Sequence, residues 1–204
     1  MGKAKADHTY QIEQIVEGDE QAFKKIFLFY YESLCNFCWR YTKSGAVSED
    51  LVQEAFADLW RLRQTLDPAK SIRVYLYQAV KHKALDYLDH QKVVRQHQKS
   101  HRRDHSGHVA PSRPKKEDKQ FIRSARQAID NLPTRAQQVY VLHREDGLTY
   151  REISAVMDIS IKTVESQMSR ALDMLRNELR DVFPDEVTER TIAKIFSIRS
   201  TGIE

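Results

Sequence analysis

Apolar side chains recur at three- and four-residue intervals along most of this chain, and that spacing predicts helices. A short stretch over residues 11–16 stops at Gly18-Asp19. From Glu20 the series Phe23, Ile26, Phe27, Tyr30, Leu34, Phe37, Cys38 and Tyr41 marks a long amphipathic helix, which Ser44-Gly45 ends. Ser48 is expected to cap the next helix, with Glu49 and Asp50 in its first turn, where the dipole favours negative charge. Leu51, Val52, Ala55, Phe56, Leu59 and Trp60 form its inward face. Thr65-Leu66-Asp67-Pro68 breaks that helix, and Ser71 opens another carrying Val74, Tyr77, Val80, Leu85 and Leu88. Periodicity fades near Arg95. Residues 96–120 are rich in His, Lys, Arg and Ser and contain Gly107, Pro111 and Pro114, the composition of a linker. The pattern resumes at Phe121 and runs to Phe183-Pro184. Beyond it, residues 185–204 hold one more apolar cluster: Val187, Ile192, Ile195, Phe196 and Ile198.

The predicted fold is therefore all-α, with two small helical domains joined by a basic linker. The expected boundaries are 1–95, a linker 96–120, a second domain 121–182, and an extension 183–204. Only 6 Gly and 5 Pro occur in 204 residues, which disfavours a turn-rich β architecture. No apolar run reaches the ~18 residues needed to span a bilayer, and none near the start is of signal-peptide type. Direct membrane insertion is not expected, and a cytoplasmic location is.

The most specific pattern lies over residues 147–176. Gly147 punctuates a helix carrying Val139, Tyr140 and Leu142. Thr149 then stands three residues before Glu152, the spacing of a capping box opening a helix over 150–157. Asp158 falls where a left-handed backbone is needed. Ser160 caps a second helix whose buried side is Val164, Met168, Ala171, Leu172 and Leu175. Two helices joined by so short a turn form a helix-turn-helix (winged-helix-like without strands), whose second helix projects into a major groove. Lys162, Thr163, Glu165, Ser166, Ser169 and Arg170 line its outer face. Arg and Lys pair with guanine, Glu accepts from cytosine N4, and hydroxyls serve base or phosphate. A plain helical hairpin explains the apolar positions but not the cap–turn–cap spacing beside a short-chain polar face.

Charge changes this picture. The formal net charge is +4, yet residues 92–120 alone carry nine Lys/Arg against three acids, while residues 121–180 carry nine against eight. A nearly neutral helix-turn-helix neutralises few phosphates, so by itself it binds duplex weakly and needs a partner to hold it there.

LTYREISAVMDISIKTVESQMSRALDMLR resembles the fourth-region helix-turn-helix of bacterial sigma factors, which reads the promoter −35 element. SEDLVQEAFADLWR resembles the second-region helix that grips the β′ clamp helices of RNA polymerase, and SIRVYLYQAVKHKALDYL resembles the following helix, which helps bind the −10 element. Both blocks, in order and with no folded domain between them, are similar to the extracytoplasmic-function (ECF) branch of the sigma-70 family. The resemblance implies a factor that directs core polymerase to promoters, through the β′ clamp helices and the β flap, and an anti-sigma partner that hides these surfaces. No phosphate-cradling glycine loop or catalytic constellation appears in the sequence, so no cofactor or metal is expected, and catalysis belongs to the polymerase.

On the physical side, Asp50, Glu54 and Asp58 recur every four residues and share one face with Gln53, an acidic surface suited to a basic helical partner. A merely solvated acidic face is the bland alternative. The resemblance places −10 contacts in the loop 63–72 (Arg63, Thr65, Asp67 and Lys70) and on the next helix (Arg73, Tyr75, Lys81 and Lys83). There a flipped base needs polar groups and stacking surface to offset the cost of unstacking. Tyr77 is assigned to the core. Departures from the family pattern are Tyr75 for a frequent tryptophan, His82 for an asparagine, Asp89 for an arginine and Asp158 for the glycine of the turn. The first three lie where the family's −10 preference is set.

Two further signals are weaker. Cys35 and Cys38 form a CxxC inside a strongly periodic helix, where buried cysteines act as small hydrophobes, and there is no second CxxC. His97, His101 and His105, with His108 behind, would share a face if the fourth helix continued, but Gly107 and the prolines favour incidental linker histidines. The principal rival is a helix-turn-helix regulator that binds DNA as a dimer without replacing a sigma subunit. It demands tight operator binding by the free protein, against which the near-neutral second domain argues.

Overall fold

The computed structural model describes residues 9–67, 70–97 and 116–182, and every regular element among them is helical. The chain divides into two compact units, with the boundary between Gly107 and His108.

The first unit holds α1 (Thr9–Val16), α2 (Glu20–Thr42), α3 (Gly45–Arg61), a 3-10 turn (Arg63–Thr65) and α4 (Ile72–His97). Gly18, at φ +91°, turns the chain between α1 and α2, a conformation open to glycine at no steric cost. Asp19 then caps α2, its Oδ1 accepting from the amides of Gln21 at 2.7 Å and Ala22 at 3.2 Å.

The start of α3 differs from expectation. Lys43 takes a left-handed φ of 55° and ends α2, so the chain re-enters a helix at once, and the cap is Ser44, not Ser48. Ser48 is instead buried inside α3. Its hydroxyl donates to the Ser44 carbonyl at 2.7 Å and lies 2.7 Å from the Thr42 hydroxyl, so a polar group without water is satisfied locally. Glu49 and Asp50 consequently fall beyond the first turn.

Helices α2, α3 and α4 pack against one another, and α1 packs against α2. They bury Ile26, Leu34, Phe37, Val52, Leu59, Leu76, Val80 and Ala84. Each large member contributes about 1.5–3 kcal/mol. Tyr77 is in the core as expected, its ring 5.0 Å from that of Phe37. Leu85, expected inward, is exposed.

The second unit holds α5 (Lys116–Asp130), α6 (Thr134–Arg144), α7 (Tyr150–Met157) and α8 (Ile161–Val182). Helix α5 begins inside the stretch read as linker. Helices α5, α6 and α7 all pack on α8, burying Ala128, Val139, Leu142, Leu148, Ile153, Val164 and Ala171. Gly147, at φ +67°, lets the Leu148 amide reach back to the Leu142 carbonyl at 2.9 Å. His101, His105, His108 and the apolar cluster of residues 185–204 lie outside the described residues.

Candidate nucleic-acid interface

The helix-turn-helix is built as its sequence spacing predicts. Thr149 Oγ1 accepts the Glu152 amide at 3.2 Å, while Glu152 Oε2 accepts both the Thr149 amide and its hydroxyl at 2.8 Å, a complete capping box. Asp158 supplies the left-handed turn residue, at φ 58° and ψ 52°. Ser160 Oγ then accepts the Thr163 amide at 3.1 Å and caps α8. His143 fixes the entry to this motif, with Nδ1 2.8 Å from the Leu148 carbonyl and its ring edge-on to Tyr150.

Along α8 the buried side is Val164, Met168, Ala171 and Leu175. Lys162, Glu165, Ser166, Ser169 and Arg170 are exposed on the outer side. Thr163 is half-buried, and its hydroxyl lies 2.8 Å from that of Ser160, so its first role is at the helix start.

In the first unit, Asp50, Gln53 and Glu54 are exposed on α3, and Asp58 is half-buried. Gln53 donates to the Tyr31 hydroxyl at 3.5 Å. Lys83 reaches across from α4 to this row, 2.8 Å from Asp58 Oδ2 and 3.3 Å from Glu54 Oε2. The hydrogen bond from Lys83 holds the Asp58 carboxyl below the usual carboxylate range. Burial alone would lower the Lys83 pKa, but its bonds to Asp58 and Glu54 outweigh burial and raise it. Tyr75 is half-buried beside this network, its phenol pushed up first by burial and then by the Asp58 charge.

The other residues assigned to −10 contacts differ in exposure and in local partners. Arg63 folds back on its own turn, donating to the Trp60 carbonyl at 2.9 Å with its guanidinium 4.5 Å from the Trp60 ring centroid. Thr65 donates to the Leu62 carbonyl at 2.7 Å. Asp67 and Lys70 are exposed, whereas Arg73 and Lys81 are half-buried.

Comparison with known proteins decides the family. The description "Sigma-70 region 2" matches residues 27–94 and "Sigma-70, region 4" matches residues 122–175, together well over half of the chain. The chain belongs to the sigma-70 family. It is similar to the ECF RNA polymerase sigma-E factor of Escherichia coli (strain K12), 28% identical over 182 residues that cover 83% of this chain and 92% of that protein. It is also similar to the ECF RNA polymerase sigma factor SigW of Bacillus subtilis (strain 168), 25% identical over 185 residues covering 84% and 96%. Among solved structures, the fold is shared with the sigma factor RpoE of Bartonella quintana in its complex with the anti-sigma factor NepR. That likeness has a TM-score of 0.62 at 20% identity and covers 78% of this chain and 96% of that one. This sigma factor is thus of the ECF type and acts in transcription initiation, directing polymerase to promoters.

Two features of this sigma factor went unread in its sequence. Phe23, Phe27, Phe56 and Trp60 line an open groove of about 540 Å³ between α2 and α3, rimmed by Glu20, Gln21, Lys24 and Gln53. The signal was present, since Phe23/Phe27 and Phe56/Trp60 are both i, i+4 aromatic pairs on facing helices. The second is the tie from Lys83 to the acidic row, whose partners are 25 and 29 positions distant and leave no local trace.

The two cysteines occupy the interior side of α2, Cys38 buried and Cys35 half-buried, both as free thiols. Burial pushes each pKa up to about 11, opposite to the activation that redox thiols show. No group of three or more potential metal ligands occurs among the described residues, and no described helix is long and apolar enough to cross a membrane.

Proposed function

We propose that this factor divides promoter recognition between its two units and relies on core polymerase to hold both on DNA. The row Asp50, Gln53, Glu54 and Asp58 docks on the β′ clamp helices. Arg63, Thr65, Asp67, Lys70, Arg73, Tyr75, Lys81 and Lys83 serve the −10 element, with Arg63 and Lys83 first leaving their present partners. Lys162, Thr163, Glu165, Ser166, Ser169 and Arg170 read the −35 major groove while the second unit rests on the β flap. The factor works in the cytoplasm and performs no catalysis itself. An anti-sigma factor, such as the one named with RpoE of Bartonella quintana, would cover these faces.

The observation that carries this reading is the pairing of a well-formed recognition helix with an almost neutral domain. Its exposed residues suit discrimination among bases, but nine Lys/Arg against eight acids over residues 121–180 supply little phosphate neutralisation. The test is to add the purified chain to core polymerase and sequence the transcripts made from a genomic promoter pool. Initiation from a defined promoter set is expected; core that gains no promoter-specific initiation refutes the reading.

A further inference from the structure

Lys83 sits on α4 among the cations assigned to −10 DNA, yet its ammonium is held by two carboxylates assigned to the polymerase face of α3. One side chain therefore belongs to two surfaces. Its side chain is 23% exposed, so salt screens the contact less than it would an open surface pair. Arg61, one turn on from Asp58 along α3, also pairs with Asp58 and keeps that carboxylate compensated if Lys83 departs. The lysine stem is flexible and its ammonium a compact point charge, so it can change partners without any shift of α4.

We propose that Lys83 is an internal stand-in for the partner's basic group: Glu54 and Asp58 hold it until a basic helix docks on α3, and the displaced ammonium then serves a DNA phosphate. This rests on the docking role given above for α3. Docking exchanges one cation for another at the carboxylates, and the exchange creates a DNA contact the free protein lacks. Core binding and single-stranded DNA binding are then coupled, by the same factor in both directions.

The first arm of the test needs no polymerase. The full chain is titrated against a fluorescein-labelled, random-sequence single-stranded oligonucleotide, with fold checked by circular dichroism. Lys83→Met is made in the native chain and in a Glu54→Gln/Asp58→Asn background, where nothing holds the ammonium. The substitution is expected to cost about two- to fivefold in affinity in that background, and at least twofold less in the native chain. Equal costs in both would mean that Lys83 acts only as bulk charge, and would overturn the proposal.

The second arm measures affinity for core polymerase. Lys83→Met is expected to tighten it about two- to fivefold by removing the competitor, while Lys83→Arg, which keeps a cation on the carboxylates, is expected not to tighten it. Unchanged or weaker binding of the Met variant overturns the proposal. A native chain that fails to bind core at all removes the docking role of α3 instead, and the first arm still reports on the hold itself.

Discussion

Removing the Thr149 hydroxyl should loosen α7 and nothing in the first unit. Thr149→Ala deletes the bond accepted from the Glu152 amide and the bond donated to Glu152 Oε2, but leaves the Thr149 amide on that carboxylate at 2.8 Å. Loss of an N-cap side chain costs about 1 kcal/mol. Helix α7 has eight residues and fully buries only Ile153 and Val156, so it lacks the length to persist without its cap and its packing on α8. A cost of that size raises the locally open population about fivefold. Amide hydrogen exchange on the full chain reads this directly. The α7 amides should exchange about fivefold faster, those of α2 to α4 should keep their native rates, and Thr149→Ser should restore most of the protection. Unchanged α7 rates, or equal acceleration in the first unit, would refute the claim that the capping box sets the local stability of the helix-turn-helix.

Other perturbations have comparably definite outcomes. Phe37→Ala empties a buried site against Tyr77 and should destabilise the first unit by about 3–5 kcal/mol in denaturant unfolding, with exchange in α6 to α8 unaffected. Because burial pushes both thiols up to about 11, Cys35 and Cys38 carry roughly a hundredfold less thiolate at neutral pH than a cysteine at 9.0. Alkylation of the native chain should be slow and should become fast in denaturant. The depressed Asp58 pKa makes its tie to Lys83 stabilising above the usual carboxylate range, and this is lost as pH falls through the depressed value. The raised Lys83 pKa extends the same tie into alkaline solution, until pH passes that raised value. Glu54→Gln/Asp58→Asn should flatten this acid limb in thermal unfolding across pH. Finally, Arg170→Ala should relax promoter choice by about 1–3 kcal/mol at one base position while leaving core affinity near native, as measured by transcript sequencing beside core titration.

The elements that were legible are those with local causes. Thr149, Glu152, Asp158 and Ser160 specify the helix-turn-helix through contacts no more than four residues apart, and each plays its expected part in the structure. Tyr77 was legible because its helix had a clear apolar stripe. Ser48 misled because Ser44 lies four residues earlier with an equally good hydroxyl. The choice between them was made by the left-handed turn at Lys43, a residue with no conformational signature. Leu85 misled because periodicity marks a stripe and not the edge of its neighbour's coverage. The residues proposed for −10 contacts were legible only as types. Whether Arg63 faces solvent or its own tryptophan depends on rotamers and on long-range packing, which linear spacing does not encode.

Charge placement ties these observations together. Residues 92–120 carry an excess of six positive charges in a chain whose total is +4, so everything outside them has an excess of two acids. Within the first unit, Arg63 lies on Trp60 and Lys83 between two carboxylates, which engages two of the cations proposed to meet DNA. A protein built to find promoters alone would show the opposite distribution, because phosphate contacts supply most non-specific affinity. On the proposed reading, engaging Arg63 and Lys83 within the first unit lowers that unit's own affinity for non-specific DNA. Under the proposed function, the exposed face of α8 then discriminates among bases once polymerase supplies the hold, and docking on α3 is the event that brings Lys83 into play.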